Sequence, residues 1–326
     1  MVLSCVFLIR ALFIPSIRIP WVISFPWLFW LFALASYQWS AYPGLTLGYM
    51  AMLTSRMFSA TIILICLYNG ISRKFFSTTL IVTLVLYLLF LLRELYLFGS
   101  TVRLAGLGEN PNFAGVTISI LLIIIIFTTE NVILCDTLFV VSSFIALTTG
   151  SRKVIVSLII IAFMLFIKTV KTMRLKGYRK LVSTLPLFLL VIVMVFAWNV
   201  IFTENLYDLP IYRRTMGILT GRYSSSDMTR AAMTKEGIYL WSGAPLIGRG
   251  IDVFRYISRF NTYSHTNYTE ILSGLGLIGL TLFYAIHLII LIKINFTAKI
   301  KDSYYRWMIN FSVFYLLVID FGMVSY

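Results

Sequence analysis

One short polar stretch combines residue types that can move a proton. "SHTNYTEIL", residues 264–272, contains His265, Asn267 and Glu270 directly before a long apolar segment, and His265 is one of two histidines in the chain. An imidazole titrates near neutral pH and can accept a proton from a hydroxyl, while an amide or a carboxylate nearby can orient it. The alternative is ordinary polar surface, which is the commoner use of a single loop histidine. The second histidine, His287, lies in an apolar segment and is expected only to pack there.

Several arginines precede this stretch and could bind phosphate. Arg152 ends "TTGSR", and a second group follows in the segment 221–254. A guanidinium can bind a phosphate through two parallel hydrogen bonds, although an arginine at the end of a membrane span is often only an anchor. In "PLIGRG", backbone N–H groups could approach an anion, or the two glycines could simply form a tight turn. The second group comprises Arg222, Arg230 and Arg249.

Polar residues also lie beside and inside the apolar segments. Asn110-Pro111 indicates a turn, and Asn112 is expected to cap the helix that follows. Charges within apolar segments cost several kcal/mol unless they are paired or hydrated, so they indicate either interhelical pairs or a polar cavity. These charges are Arg56, Arg93, Glu94 and Asp136.

The elements that carry these residues must be membrane helices. Of 326 residues, 60% are hydrophobic and 12% are charged, with a mean hydropathy of +0.93. Soluble domains have about 45–50% apolar and 25% charged residues, and the apolar runs are too long for barrel strands. The net charge of +15 fits Lys- and Arg-rich cytoplasmic loops better than nucleic-acid binding. The cysteines, Cys5, Cys66 and Cys135, lie in apolar runs and are expected to pack as small hydrophobic residues.

The sequence therefore predicts an all-α polytopic membrane protein with nine or ten transmembrane helices in one domain, residues 1–326. The basic segments 168–180 and 293–306 should face the cytoplasm. One large extracytoplasmic loop, 203–267, should contain a short helix at 229–241. The other outer loops are then 39–48, 99–112 and 150–152. The predicted spans are 20–38, 49–68, 78–98, 113–129, 131–149, 153–168, 182–202, 268–292 and 307–326, with a shorter span or interfacial helix at 1–16.

The order of these motifs resembles the O-antigen ligase / Wzy polymerase superfamily over about residues 69–326. "NPN" opens a span, "TTGSR" forms a turn, a large loop carries Arg230 and then "PLIGRG", and "HTNYTE" enters a span with "GLGLIGL". The most specific part looks like the family's His-x-Asn-Tyr-x-Glu signature. Thr269 departs from it, since the family often has Leu there.

The resemblance implies a metal-independent, inverting glycosyltransferase without a cofactor, acting on undecaprenyl-pyrophosphate-linked glycans outside the bacterial cytoplasmic membrane. It implies that His265 serves as a general base or orients the acceptor, held by Asn267 and Glu270. It also implies that Arg152 and Arg230 stabilise the pyrophosphate leaving group, which suits preorganised guanidiniums. The further substrate-binding candidates are Arg222, which rivals Arg230, and Arg249, Asn110 and Asn112.

Three functions remain open at this stage. A polymerase of O-antigen, capsule or exopolysaccharide repeat units is favoured over an O-antigen ligase by "SSSDMTR…PLIGRGIDVF" and "VIDFGMVSY". A transporter or lipid flippase would show inverted repeats and broken helices near the midplane, and the sequence indicates neither. The expected partners are the lipid bilayer, the lipid-linked glycan substrates, a chain-length regulator and a flippase, and no nucleic acid.

Overall fold

Every secondary-structure element in the described part of the chain is helical, which confirms the all-α prediction. The structure is a computed structural model that describes residues 18–70, 72–98, 110–149, 151–176, 225–297 and 303–322. Short 3₁₀ turns flank α1, and a π-helical turn, Lys293–Thr297, continues α9. The helices are α1 Ser24–Ala35, α2 Pro43–Tyr68, α3 Arg73–Phe98, α4 Pro111–Thr128, α5 Val132–Thr148, α6 Arg152–Lys176, α7 Ser225–Ser242, α8 Phe254–Ile257, α9 Asn267–Ile292 and α10 Ser303–Asp320.

Five helices in the described ranges are long and apolar enough to cross a membrane. They are α2, α3, α4, α6 and α9, and α5 is a shorter apolar helix. Two predicted spans differ from this pattern: α1 has only 12 residues, and α10 carries polar residues at both ends. The predicted span 182–202 and the segment 1–16 lie outside the described residues. The helix expected at 229–241 is confirmed by α7.

The start of α4 shows how the sequence sets a helix boundary. Asn110 has extended backbone angles and its side chain accepts a hydrogen bond from the backbone N–H of Asn112 at 2.9 Å. Pro111 follows as the first helical residue, where its missing N–H group removes no helix hydrogen bond. The expectation that Asn112 caps this helix is therefore wrong, because Asn110 occupies the capping position.

The described residues form two compact units, and each is described by itself. In the first unit, α9 packs against α1 and α7, and α1 packs against α2. Its hydrophobic core includes Phe29 and Ala33 of α1, Leu53 of α2, and Ile271 and Leu275 of α9. The first unit draws on Met1–Ser72, Ser225–Lys299 and Leu316–Tyr326, and the second on Arg73–Ser224 and Ile300–Tyr315.

The two ends of the first unit separate the loops as the predicted topology requires. At one end, the indole N–H of Trp39 donates to the carbonyl of Ile247 at 3.2 Å, so two loops predicted to lie outside meet. At the other end, the side-chain oxygen of Asn69 accepts from the backbone N–H of Arg18 at 2.7 Å. There the Lys293 ammonium lies 3.8 Å from the centre of the Trp21 ring. Lys293, from a segment predicted to be cytoplasmic, thus lies at the end of this unit opposite to the predicted outer loops.

In the second unit, α4 packs with α5 and α6, and a buried lysine closes the end of α4. Lys168 is 5% exposed, and its ammonium donates to the carbonyls of Ile126, at 2.6 Å, and Thr129. A helix C-terminus leaves carbonyl groups without helical partners, and a cation there satisfies them. Lys168 was expected in a cytoplasmic loop but lies inside α6. The buried Asp136 has one carboxylate oxygen without a hydrogen-bond partner among the described residues.

Candidate active site

His265 and Arg230 line one cavity in the first unit. The cavity has a volume of about 300 Å³ and lies between α7 and the turn that precedes α9. Ser225, Thr229 and Met233 recur every four residues along α7, so one face of the helix forms one wall. The cavity therefore combines an imidazole, a guanidinium and two hydroxyls, a set that can hold an anion and accept a proton.

The turn that carries His265 has an unusual backbone. His265 has φ 61°, in the left-handed region, and Thr266 then returns to an extended conformation as the residue before α9. Left-handed φ costs a non-glycine residue roughly 1–2 kcal/mol, although histidine tolerates it better than most. The Tyr263 ring lies beside the imidazole, with 4.3 Å between ring centres. The surrounding contacts must hold this conformation.

Buried hydrogen bonds hold the turn from the first turns of α9. The Glu270 carboxylate accepts from the backbone N–H of Ser264, the neighbour of His265, at 2.6 Å. The Thr269 hydroxyl donates to the Ser264 hydroxyl at 3.0 Å, which in turn donates to the Thr266 carbonyl at 2.9 Å. Glu270 therefore supports the His265 turn through the backbone. Thr269, where the resembling family often has Leu, contributes a hydroxyl that a leucine would lack.

The side chain of Asn267 forms hydrogen bonds with Tyr284 of α9 and Asp320 of α10. Its amide donates to the Asp320 carboxylate at 3.1 Å and to the Tyr284 hydroxyl at 3.2 Å. The Tyr284 hydroxyl donates to the same carboxylate oxygen at 2.7 Å. This cluster joins the first residue of α9 to the end of α10. Asp320 and Tyr284 were not among the residues predicted from the sequence, although an aspartate within the apolar "LLVIDF" is a signal that could have found the first.

The loop 243–250 enters a break in α9. At Gly276 the backbone leaves the helix, with φ 63° and ψ −163°. The amides of Leu277 and Ile278 donate to the carbonyls of Pro245 and Leu246, at 2.9 and 3.1 Å. On the other side of the break, the carbonyls of α9 accept from the loop: Ser273 from Arg249 at 3.0 Å, and Gly274 from Gly250 at 2.7 Å.

The glycines of "PLIGRG" and "GLGLIGL" are explained by this close approach of two backbones. A Cβ atom on Gly248 would overlap the backbone of Gly274, and one on Gly276 would overlap the carbonyl of Leu246. The N–H groups of the loop residues 248–250 donate to carbonyl groups of the protein. The prediction that "PLIGRG" forms a tight turn is therefore the one that describes this loop. The amides of Arg249 and Gly250 donate to carbonyl groups of α9. The expectation that no helix is broken is wrong for α9.

Arg249 lies at the end of α7. Its Nε donates to the carbonyl of Leu240, in the last turn of that helix, at 3.0 Å. Such a contact satisfies a carbonyl that the helix leaves open and places a positive charge at the helix C-terminus. The resolved contact of Arg249 is thus a helix cap. Its role in substrate binding stays a prediction.

An ion pair joins Asp252, which follows the loop 243–250, to Arg255 in α8. Arg255 contacts the Asp252 carboxylate at 2.6 Å, and Asp252 has φ 59°. Burial raises the pKa of the Asp252 carboxyl above its usual range, and the guanidinium of Arg255 opposes that rise. The pair therefore favours the charged form of a buried carboxylate beside a strained backbone position.

The described lining of the cavity includes none of the four remaining predicted site residues. Arg152 is the first residue of α6, and its side chain is outside the described part of the structure. Arg222 lies outside the described residues altogether. Asn110 and Asn112 lie at the start of α4 in the second unit. Within the described ranges, no group of three or more His, Cys, Asp and Glu residues could hold a metal ion.

Comparison with known proteins yields one match. A family model described as O-antigen ligase matches residues 137–284, which run from α5 through most of α9. No curated protein and no solved structure matches the chain. All the predicted site residues except Asn110 and Asn112 fall within the matched range. The match over residues 137–284 confirms the resemblance to the O-antigen ligase / Wzy polymerase superfamily for that part of the chain.

Proposed function

We propose that this protein is a membrane glycosyltransferase that polymerises undecaprenyl-pyrophosphate-linked oligosaccharide repeat units. It would act on the outer side of a bacterial cytoplasmic membrane, making O-antigen, capsule or exopolysaccharide. The observation that carries the proposal is the single cavity that His265 and Arg230 share within the family match. A base and a guanidinium in one cavity suit a reaction in which one hydroxyl loses a proton while a phosphate gains charge.

The chemistry assigns a separate task to each side chain. His265 accepts the proton of the acceptor hydroxyl, whose oxygen then attacks the anomeric carbon of the donor sugar. The bond from that carbon to the pyrophosphate oxygen breaks, and the negative charge develops on the lipid pyrophosphate. Arg230 stabilises this charge, with Arg152 as the second predicted guanidinium. Attack opposite the leaving group inverts the anomeric configuration, and the charge stabilisation comes from the protein's own guanidiniums.

The second candidate is an O-antigen ligase, which would transfer a finished polymer to lipid A-core. The matching family model is described by the name of that activity, and the match is compatible with both reactions. The same two side chains would serve both reactions because the donor linkage is the same and only the acceptor differs. The distinction therefore depends on the product that accumulates when the reaction stops.

The break in α9 bears on the transporter alternative. Transporters use broken helices to present open backbone groups to a substrate or an ion. Here the amides of Leu277 and Ile278 and the carbonyls of Ser273 and Gly274 are hydrogen-bonded to the loop 243–250. The break therefore connects α9 to the loop 243–250, and it does not support the transporter alternative.

The test is His265→Ala, expressed in a strain that lacks the gene, with His287→Ala as the matched control. His287 lines a separate, mostly apolar groove with Phe29 and Leu53. We expect His265→Ala to insert normally and abolish the product, while the control retains it. Single repeat units left on the lipid carrier or its acceptor would support the polymerase. Full-length polymer left on the carrier would support the ligase. Unchanged polymer and unchanged transfer in His265→Ala would refute the role of His265, and a product that persists in the strain without the gene would refute both functions.

A further inference from the structure

A carboxylate outside the cavity links α7 to the loop that carries His265. Glu236 accepts a hydrogen bond from the backbone N–H of Arg259 at 2.9 Å through one oxygen. Its other oxygen lies 3.1 Å from the Arg259 side-chain Nε. The side chain of Glu236 is 19% exposed and that of Arg259 is 72% exposed. Both contacts lie at the surface, and Glu236 is the less exposed of the two side chains.

The loop 258–266 is held near both of its ends by carboxylates from different helices. Near its start, Glu236 of α7 binds the backbone of Arg259, and near its end Glu270 of α9 binds the backbone of Ser264. Asn261, with φ 51°, lies between these two points, and His265, with φ 61°, directly follows the second. Two residues with left-handed backbone in so short a loop require outside contacts to fix them.

The helix that supplies Glu236 also supplies Arg230. The two residues are six positions apart on α7, about 9 Å along the helix axis. Glu236 fixes the start of the loop to α7, six residues before His265, while Glu270 fixes its end to α9. We propose that Glu236 is a positioning residue, which sets the distance between the imidazole and the guanidinium by anchoring the loop 258–266 to α7. This proposal rests on the proposed function for its effect on the reaction, but not for the anchor itself.

The two contacts of Glu236 can be separated by substitution. Arg259→Ala removes the ion pair and keeps the backbone N–H group that Glu236 binds. Glu236→Gln keeps an amide oxygen that can accept from the same N–H group, while Glu236→Ala removes both contacts. Exposed ion pairs contribute little, so we expect Arg259→Ala and Glu236→Gln to behave nearly as the unaltered protein does. Lys235→Ala, an exposed neighbour on α7, is the matched control.

The first measurement is amide hydrogen exchange across residues 258–265 in the full-length protein in detergent. Glu236→Ala should accelerate exchange in this segment, whereas the other three variants should not. The second measurement is product formation at equal membrane abundance. A displacement of about 1 Å can reduce a rate about 10²-fold, so Glu236→Ala should lose on that order in kcat, with Glu236→Gln restoring it.

The outcomes distinguish this proposal from the proposed function. Exchange that is unchanged in Glu236→Ala would overturn the anchor. Faster exchange with an unchanged rate would overturn its positioning role. Equal loss of rate in Glu236→Ala and Lys235→Ala would also overturn it, because the effect would then be general to α7. Absence of any activity in the unaltered protein would instead overturn the proposed function, and the exchange measurement would still decide whether Glu236 anchors the loop.

Discussion

Substitution of Gly276 by alanine should separate the loop 243–250 from the break in α9. Gly276 has φ 63° and ψ −163°, a combination that is essentially confined to glycine. A Cβ atom at this position would overlap the carbonyl group of Leu246 and the backbone nitrogen of Ile247. Both overlapping groups belong to backbone, so no side-chain rotation can relieve the contact. Either the loop leaves the break or α9 changes its course.

The expected magnitude follows from two contributions. The backbone conformation of Gly276 costs an alanine about 1–3 kcal/mol. Displacement of the loop also removes the acceptors of the Leu277 and Ile278 amides, Pro245 and Leu246. A backbone group left without a partner away from water costs about 1–3 kcal/mol. The total is on the order of 3–9 kcal/mol, a large part of the roughly 5–15 kcal/mol that stabilises a typical protein.

The control is Gly70→Ala, which tests backbone strain alone. Gly70 has φ 85°, and a Cβ atom there would meet nothing within 4 Å. Its substitution should cost only about 1–2 kcal/mol. Thermal unfolding of the two purified variants in detergent, together with their abundance in membranes, measures the difference. If both variants unfold at the same temperature, the loop does not depend on Gly276, and the proposed joint between the loop and α9 is refuted.

The other predictions concern the second arginine and the topology. Arg152→Lys should reduce product formation severely if Arg152 binds phosphate through two parallel hydrogen bonds, because an ammonium cannot reproduce that geometry; activity close to that of the unaltered protein would identify Arg152 as a membrane anchor. A reporter fused near residue 220 should indicate an extracytoplasmic position, as the basic loops predict; a cytoplasmic signal would refute both the topology and the proposed mechanism.

The helices could be predicted because a bilayer restricts what a chain can do. Backbone groups in the hydrocarbon core must be paired within the segment, so long apolar runs become helices. Three of these helices, which end at Tyr68, Phe98 and Thr128, end within one residue of the predicted positions. The starts were less predictable: α2 begins at Pro43 rather than residue 49, since a helix can extend beyond the apolar core into the polar region.

The candidate site was predicted in part for a similar reason. His265 and Arg230 differ in type from their surroundings, and the order of motifs around them supported a shared chemistry. Glu236, Asp320 and Tyr284 could not be chosen in the same way, because their meaning depends on partners distant in sequence. Glu236 is 23 residues from Arg259, and Asp320 is 53 residues from Asn267. A carboxylate on a polar helix face looks the same in sequence whether or not it binds a loop.

The sequence by itself determined the class of the protein and most of its spans, and it selected His265 and Arg230 as candidates for the chemistry. These properties depend on the composition of the chain and on the order of neighbouring residues, both of which are known before the fold is. Only the tertiary structure decided that α9 is broken at Gly276, that the glycines of two distant motifs meet there, and that His265 and Arg230 face one cavity. Those properties arise from backbone groups and side chains that meet only after folding, and "GLGLIGL" alone is equally compatible with an unbroken helix.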